Sequence, residues 1–202
     1  MTSATDFETA AHSFLDLVAE VRVSQWNEPA LGVWDVRSLV GHTARAISTV
    51  ETYLLMEPGA TVTAPDAESY YVDVFTQYTD NDAIAARGVE AGKKLTEDSG
   101  EEFEATLNRA LALIKENGQD RIVGVGEIGI PLGEYLRTRV FELVIHGMDI
   151  ANATNQAHTF PADVVANVAD LAARVAVRKG DGEEILFALT GRKPLRQRYS
   201  IL

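Results

Sequence analysis

Two ionisable side chains, Glu142 and His146, lie four residues apart in the largely apolar stretch 139–151. On an α-helix this spacing places a carboxylate and an imidazole on one face, one turn apart. Both groups are costly to bury unless a partner satisfies them, and a divalent metal ion would satisfy both. His42, in a second apolar segment, is the candidate for a third ligand. Two imidazoles and one carboxylate leave one position open on a tetrahedral zinc ion, which is the catalytic arrangement.

The alternative to a metal site is an ordinary polar pair at i and i+4. The choice between the two depends on the residues that surround the pair. Leu136 and Leu143 share its helix face, which predicts burial. Arg139 and Asp149 extend the polar row at i−3 and i+3. Buried polar rows of this kind in helical bundles are typical of metal and cofactor sites.

Three further charged residues each have two interpretations. Asp149 either orients a ligating imidazole, which we expect to be that of His42, or forms an ion pair with Arg45. Arg139 and Arg45 either bind a carboxylate of an anionic substrate or cofactor, or form structural salt bridges. The sequence leaves these alternatives open.

The spacing of apolar residues predicts four substantial helices, over about 5–25, 35–56, 81–117 and 131–155. The third is interrupted by a break at residues 98–100, where Ser99 and Glu102 resemble a capping box. Asp35 is a suitable N-cap for the second helix, and Pro131 begins the fourth. Residues 121–130 alternate β-branched residues with glycine and predict a short strand or an extended loop. These four helices predict a mainly α four-helix bundle over residues 1–157. A further helix, about 161–178, begins a C-terminal extension, 158–202, of mixed α/β character that packs on the bundle.

Composition restricts the possible partners. The chain has 202 residues, 18 of them basic and 30 acidic, for a net charge of −12. This balance argues against binding to nucleic acid or to an anionic membrane surface. The absence of cysteine excludes disulfides and a cysteine nucleophile. The sequence has no apolar run long enough to span a bilayer, so we expect a cytoplasmic location. We expect the protein to be a monomer or a homodimer.

Gly124, Gly126 and Gly129 match the G-x-G-x-x-G pattern of dinucleotide-binding proteins. In those proteins the helix begins within the glycines, whereas here Pro131 begins the helix after them. We therefore expect these glycines to let the backbone pass close to a neighbouring segment. The sequence also lacks a G-x-S-x-G motif, a Walker loop and a plausible Ser-His-Asp arrangement.

The segments Trp-Asp-Val-Arg-Ser-Leu-Val-Gly-His42-Thr-Ala-Arg45 and Arg139-Val-Phe-Glu142-Leu-Val-Ile-His146-Gly-Met-Asp149 resemble the mycothiol-dependent maleylpyruvate isomerase family of the DinB-like superfamily. The segments 26–31 and 186–192 are similar to that family as well, so the resemblance covers nearly the whole chain.

This resemblance implies a DinB-like bundle that binds zinc, or else nickel or iron, through His42, Glu142 and His146. It also implies the actinobacterial thiol mycothiol as cofactor, activated for isomerisation or S-transfer to a small electrophilic substrate. In the isomerase a C-terminal arginine reaches the active site, and Arg192 is the nearest candidate here. Arg45, Arg139 and Asp149 complete the expected catalytic set. The alternative is a bundle that binds a metal and a small ligand without turnover, in a stress or regulatory role.

Overall fold

A computed structural model describes residues 2–58, 61–77, 81–96 and 98–201 of the chain. Within these residues there are eight helices and two short antiparallel hairpins. The helices are α1 Ser3–Ala19, α2 Val36–Leu55, α3 Ala67–Gln77, α4 Asn81–Lys93, α5 Ser99–Asn117, α6 Leu132–Thr154, α7 Ala162–Arg178 and α8 Gly182–Leu189. The hairpins pair β1 Pro29–Leu31 with β2 Trp34–Asp35, and β3 Ile122–Val125 with β4 Ile128–Pro131.

Four of the helices form the bundle. α1 packs on α5 and α6, and α2 packs on the same two helices. Their apolar stripes form one core, in which the large side chains of Phe7, Phe14, Leu39 and Leu136 are fully buried. The prediction of a mainly α four-helix bundle is therefore confirmed.

The predicted helical region 81–117 is two helices, α4 and α5, and α5 begins at Ser99, within the predicted break. Only α5 belongs to the bundle, whereas α4 packs across the outside of α2. Two glycines allow a very close approach: a Cβ atom on Gly41 would lie 2.5 Å from the backbone nitrogen of Gly92. Apolar periodicity and the break predicted both segments but could not show that only one of them belongs to the bundle, because each has its own buried side.

The first helix is shorter than the predicted range 5–25, because α1 ends at Ala19. Residues Val23–Gln25 form a separate 3-10 turn, and the Gln25 side chain donates to the carbonyl of Thr154 at 2.7 Å. That bond attaches the turn to the last residue of α6. The other predicted boundaries agree well, and the Asp35 carboxylate caps α2 by accepting from the Ser38 amide at 2.8 Å.

The predicted strand or loop over 121–130 is the hairpin β3–β4, which turns at Gly126 with φ of 61°. At Gly129 the backbone passes so close to the carbonyl of Thr61 that a Cβ atom would overlap it. The expected close passage is therefore found at this glycine.

Beyond residue 158, α7 packs against α1, α3 and α6, and α8 packs against α7. In the described part of this region the chain is helical or irregular, and the strands lie in the two hairpins before α6. α8 has no buried residue. Division of the chain between residues 157 and 158 stays a prediction. No described helix has both the length and the apolarity needed to cross a membrane.

Candidate metal centre

The bundle brings together the three side chains that the sequence predicted as metal ligands. His42 projects from α2, and Glu142 and His146 project from one face of α6. One potential ligand atom from each of the three lies within 4.8 Å of those of the other two. α2 and α6 are neighbours in the bundle, so two segments about 100 residues apart in the sequence meet there.

Glu142 and His146 also contact each other. The His146 Nε2 atom lies 3.3 Å from Oε2 of Glu142, and the two side chains are 14% and 20% exposed. Burial would raise the pKa of Glu142, but the hydrogen bond from His146 and the charge of Arg139 outweigh it and lower the pKa to about 2. This carboxylate is therefore an anion at every physiological pH.

The two histidines have opposite pKa shifts. Burial and the nearby charge of His146 lower the pKa of His42 to about 4, so His42 is a neutral imidazole at pH 7. Burial would lower the pKa of His146 too, but hydrogen bonds to Asp149 and Glu142 raise it to about 9. Without a metal, His146 is therefore a cation between two carboxylates.

Asp149 lies on the opposite side of the His146 ring from Glu142, with Oδ2 3.3 Å from Nδ1. Our expectation that Asp149 would orient His42 across the bundle is wrong, and so is the alternative of an ion pair with Arg45. Asp149 is one turn after His146 on α6, so contact within the helix is more direct than contact across the bundle. It orients this imidazole with Nε2 toward Glu142.

Tyr71 on α3 holds the carboxylate of Glu142. Its buried hydroxyl donates to Oε1 of Glu142 at 3.1 Å and lies 3.2 Å from the carbonyl oxygen of Thr138. The sequence analysis did not identify this residue as part of the site. Tyr71 lies among apolar residues in the sequence, and nothing local distinguishes a core tyrosine from one that donates to a buried carboxylate.

Trp34 forms one wall of the site. Its ring centroid lies 4.5 Å from that of His42 and 6.3 Å from that of His146. The indole N–H donates to the carbonyl of Ala85 on α4 at 2.9 Å, and the lack of a side chain at Gly88 leaves room for the ring. The sequence did not identify Trp34 as part of the site either, since a hydrophobic residue before an N-cap ordinarily packs on its own helix.

The three arginines proposed for catalysis occupy different surroundings. Arg139 is partly buried, one turn before Glu142, with its guanidinium 4.8 Å above the Tyr135 ring and Nε donating to the Thr138 hydroxyl at 3.1 Å. Neither Arg139 nor the exposed Arg45 has an ion pair with any described residue. The described residues therefore give no support to the salt-bridge alternative for either arginine.

Arg192 does not belong to this cluster. It lies in the exposed segment after α8 and donates to the carbonyl of Thr190 at 3.4 Å. None of its hydrogen bonds within the described chain reaches the metal candidates. The expectation that Arg192 takes the place of the isomerase's C-terminal arginine has no support from these contacts.

The donor set fits a divalent transition metal. Imidazole and carboxylate are ligands of zinc, nickel and iron, and a His₂Glu set is typical of catalytic zinc sites. In addition, Nδ1 of His42 is buried without a hydrogen-bond partner among the described residues. A buried polar atom without a partner costs free energy, which binding of a metal by this imidazole could offset.

Comparison with known families gives one match, to the family described as mycothiol maleylpyruvate isomerase N-terminal domain. Comparison with curated proteins gives no match, and neither does comparison with solved structures. The matched segment contains all three metal candidates together with Arg139 and Asp149, and it is well over half of the chain. The chain therefore belongs, over residues 7–151, to the mycothiol maleylpyruvate isomerase N-terminal domain family.

Proposed function

We propose that this protein is a metal-dependent enzyme that activates a low-molecular-weight thiol, mycothiol or a close analogue, for isomerisation of a small electrophile or S-transfer to it. The observation that carries the proposal is the convergence of His42, Glu142 and His146 beside a partly buried arginine, Arg139, that forms no ion pair with a described residue. Family membership supplies the reaction type and the thiol. The proposal includes zinc, or else nickel or iron, as the metal, and a cytoplasmic location.

Each side chain of the site would have its own role. His42, Glu142 and His146 would hold the ion. Asp149 orients His146, and Tyr71 orients Glu142. A divalent ion bound there would supply an open coordination position at which a thiol loses its proton and becomes the nucleophile for addition to an electrophilic carbon.

Arg139 would bind a carboxylate of the electrophile. A divalent ion with Glu142, Asp149 and two neutral imidazoles carries no net charge, whereas Arg139 and Arg45 add two positive charges. Uncompensated charges are costly in a partly buried site. One thiolate and one substrate carboxylate would neutralise both, which is why we assign an anionic electrophile to this site. Arg45, which is more exposed, would assist from the rim.

The test combines metal analysis with turnover. We expect about one divalent ion per chain. We also expect mycothiol-dependent isomerisation of maleylpyruvate, which returns the thiol, or consumption of mycothiol by conjugation to monochlorobimane. His42→Ala should abolish metal binding and turnover, whereas His12→Ala, at an exposed histidine of α1, should change neither. Arg139→Met should raise KM for maleylpyruvate far more than for uncharged monochlorobimane. If the purified protein contained no bound metal, and if His42→Ala changed neither metal content nor turnover, the proposal would be disproved.

One observation favours a second candidate, a metal- and ligand-binding bundle without turnover. Arg192 makes no hydrogen bond to the metal candidates, so the described residues supply no evident counterpart of the isomerase's C-terminal arginine. A protein of this kind would bind metal and thiol stoichiometrically, in a stress or regulatory role. It would leave maleylpyruvate and monochlorobimane unchanged.

A further inference from the structure

The outer face of α8 is apolar and exposed to solvent. Leu186 and Leu189 lie three residues apart, so they share one face of the helix, and they are 63% and 77% exposed. A Cβ atom on Gly182 would lie 3.0 Å from Cγ2 of Val177, so the exposed Val177 side chain of α7 adjoins the start of α8. Exposed apolar side chains that cluster in this way mark interaction surfaces.

Other sides of α8 are already covered by the chain itself. α7 packs against one side. The segment after α8 folds back along another side, where the Arg196 amide donates to Oε1 of Glu184 at 2.8 Å. The exposed residues of the helix form an outward row, Glu183, Leu186 and Leu189. An isolated helix of eight residues is marginally stable in water, so a partner that buried this row would stabilise α8.

The two ends of the outward row carry charges of opposite sign. Glu183 precedes Leu186 by three positions and lies in the first turn of α8. Arg192 follows Leu189 by three positions, and its amide donates to the carbonyl of Phe187 at 2.8 Å, which holds it beside the last turn. Neither Glu183 nor Arg192 has an ion pair with another residue that the structure describes. A complementary partner would therefore present a cation, an apolar centre and a carboxylate, in the opposite order.

A second copy of the same helix, in antiparallel orientation, meets this requirement. In a contact with two-fold symmetry each pair of facing residues occurs twice. If Leu186 faces Leu189 of the second copy, the equal spacing of three residues places Glu183 opposite Arg192 of that copy. Antiparallel packing also brings the positive end of each helix dipole near the negative end of the other. The outward row is therefore complementary to itself in both apolar contact and charge.

We infer that the outward row of α8 is the contact surface of a homodimer in which the two α8 helices pack antiparallel. A helix of eight residues is only about 12 Å long, so the contact is small. We accordingly expect a weak dimer, with a dissociation constant of about 10 μM. This inference does not depend on the proposed function, because the metal candidates lie on α2 and α6.

Sedimentation velocity of the full chain, from about 1 to about 500 μM, measures the association. The mass should rise with concentration from 22.0 kDa toward twice that value. Leu186→Gln removes an apolar contact while glutamine remains favourable in a helix, so the dissociation constant should increase about tenfold or more. Leu55→Gln is the matched control, because Leu55 is an equally exposed leucine at the end of α2, and it should leave association unchanged.

Two charge reversals test the antiparallel arrangement. Glu183→Arg and Arg192→Glu each place like charges opposite one another, so either variant alone should associate about tenfold more weakly than the wild type. An equimolar mixture of the two should dimerise as the wild type does, because both pairs of opposite charge then form again. Arg87→Glu, at an exposed arginine of α4, changes the net charge as Arg192→Glu does and should leave the dimer unaltered.

Three results would overturn the inference. The first is a monomer over the whole concentration range. The second is a dimer that Leu186→Gln does not weaken, since the contact would then lie on another surface. The third is a mixture of the two charge variants that fails to associate although far-ultraviolet circular dichroism shows that both retain their helix content. If either charge variant lost helix content, the comparison of Leu186→Gln with Leu55→Gln would decide alone.

Discussion

Metal uptake by this protein should release about one proton per site at pH 7.5, and His146 should be its source. An imidazole must be neutral to bind a metal, so a protonated ligand loses its proton on binding. His146 has a pKa of about 9 and is almost fully protonated at pH 7.5. His42, with a pKa of about 4, and Glu142, with a pKa of about 2, are already deprotonated and release nothing.

The same values predict how metal affinity depends on pH. Between about pH 5.5 and 8 one proton competes with the metal, so the apparent affinity should rise about tenfold per pH unit and level off above pH 9. Two histidines of ordinary pKa, near 6.5, would instead give a steeper rise below pH 6 and almost no change above pH 7.5. The two patterns differ most between pH 7 and 8.5.

Calorimetry of zinc binding, in competition with a chelator and in two buffers of different ionisation enthalpy, measures the number of protons released. Asp149→Asn is the informative variant, because it removes a carboxylate that raises the pKa of His146. Proton release at pH 7.5 should fall in this variant, whereas a proton lost from zinc-bound water would remain. Release of less than about half a proton by the wild type at pH 7.5, or an affinity that is flat between pH 6.5 and 8, would refute the assignment.

Further predictions concern the walls of the site. Binding of nickel should quench the fluorescence of Trp34, whose ring lies 4.5 Å from that of a ligating histidine, and Trp34→Phe should abolish the quenching whereas Trp26→Phe should preserve it. Gly88→Ala places a Cβ atom 2.6 Å from the Trp34 ring and should lower the unfolding free energy by about 1–3 kcal/mol in urea denaturation. Gly124→Ala, with open space at its Cβ position, is the control and should change stability little. Tyr71→Phe removes the hydroxyl that orients a ligating carboxylate, so zinc affinity measured by chelator competition should fall about tenfold, and an unchanged affinity would contradict that role.

The ligand set could be predicted from the sequence because its signal is local. Glu142 and His146 share a helix face through their spacing alone, and the apolar residues around them indicate that this face is buried. His42 lies on the buried stripe of another long helix, and two inward-facing stripes in one bundle share a core. Family membership, also expected from these motifs, is confirmed over residues 7–151.

The surroundings of the ligands were decided by the tertiary structure. Tyr71 reaches Glu142 across 71 positions of the chain, and Trp34 meets α4 at Ala85 across 51. Neither contact has a periodic or local signal, because a helical pattern shows which side of an element is buried and not which element covers it. The same limit explains why α4 and α5 were counted together as one helix of the bundle, although the break between them was predicted.

The choice between alternative partners for the charged residues also required the structure. Sequence spacing allowed Asp149 to contact His146, yet we expected it to contact His42 on the other helix, and the placement of the two helices decided for His146. For Arg139, Arg45 and Arg192 the sequence indicated charge alone. Spacing along a helix thus determined which groups could bind a metal. The packing of separate elements determined which partner, if any, neutralises or orients each charged group, because electrostatic energy depends on distances in space.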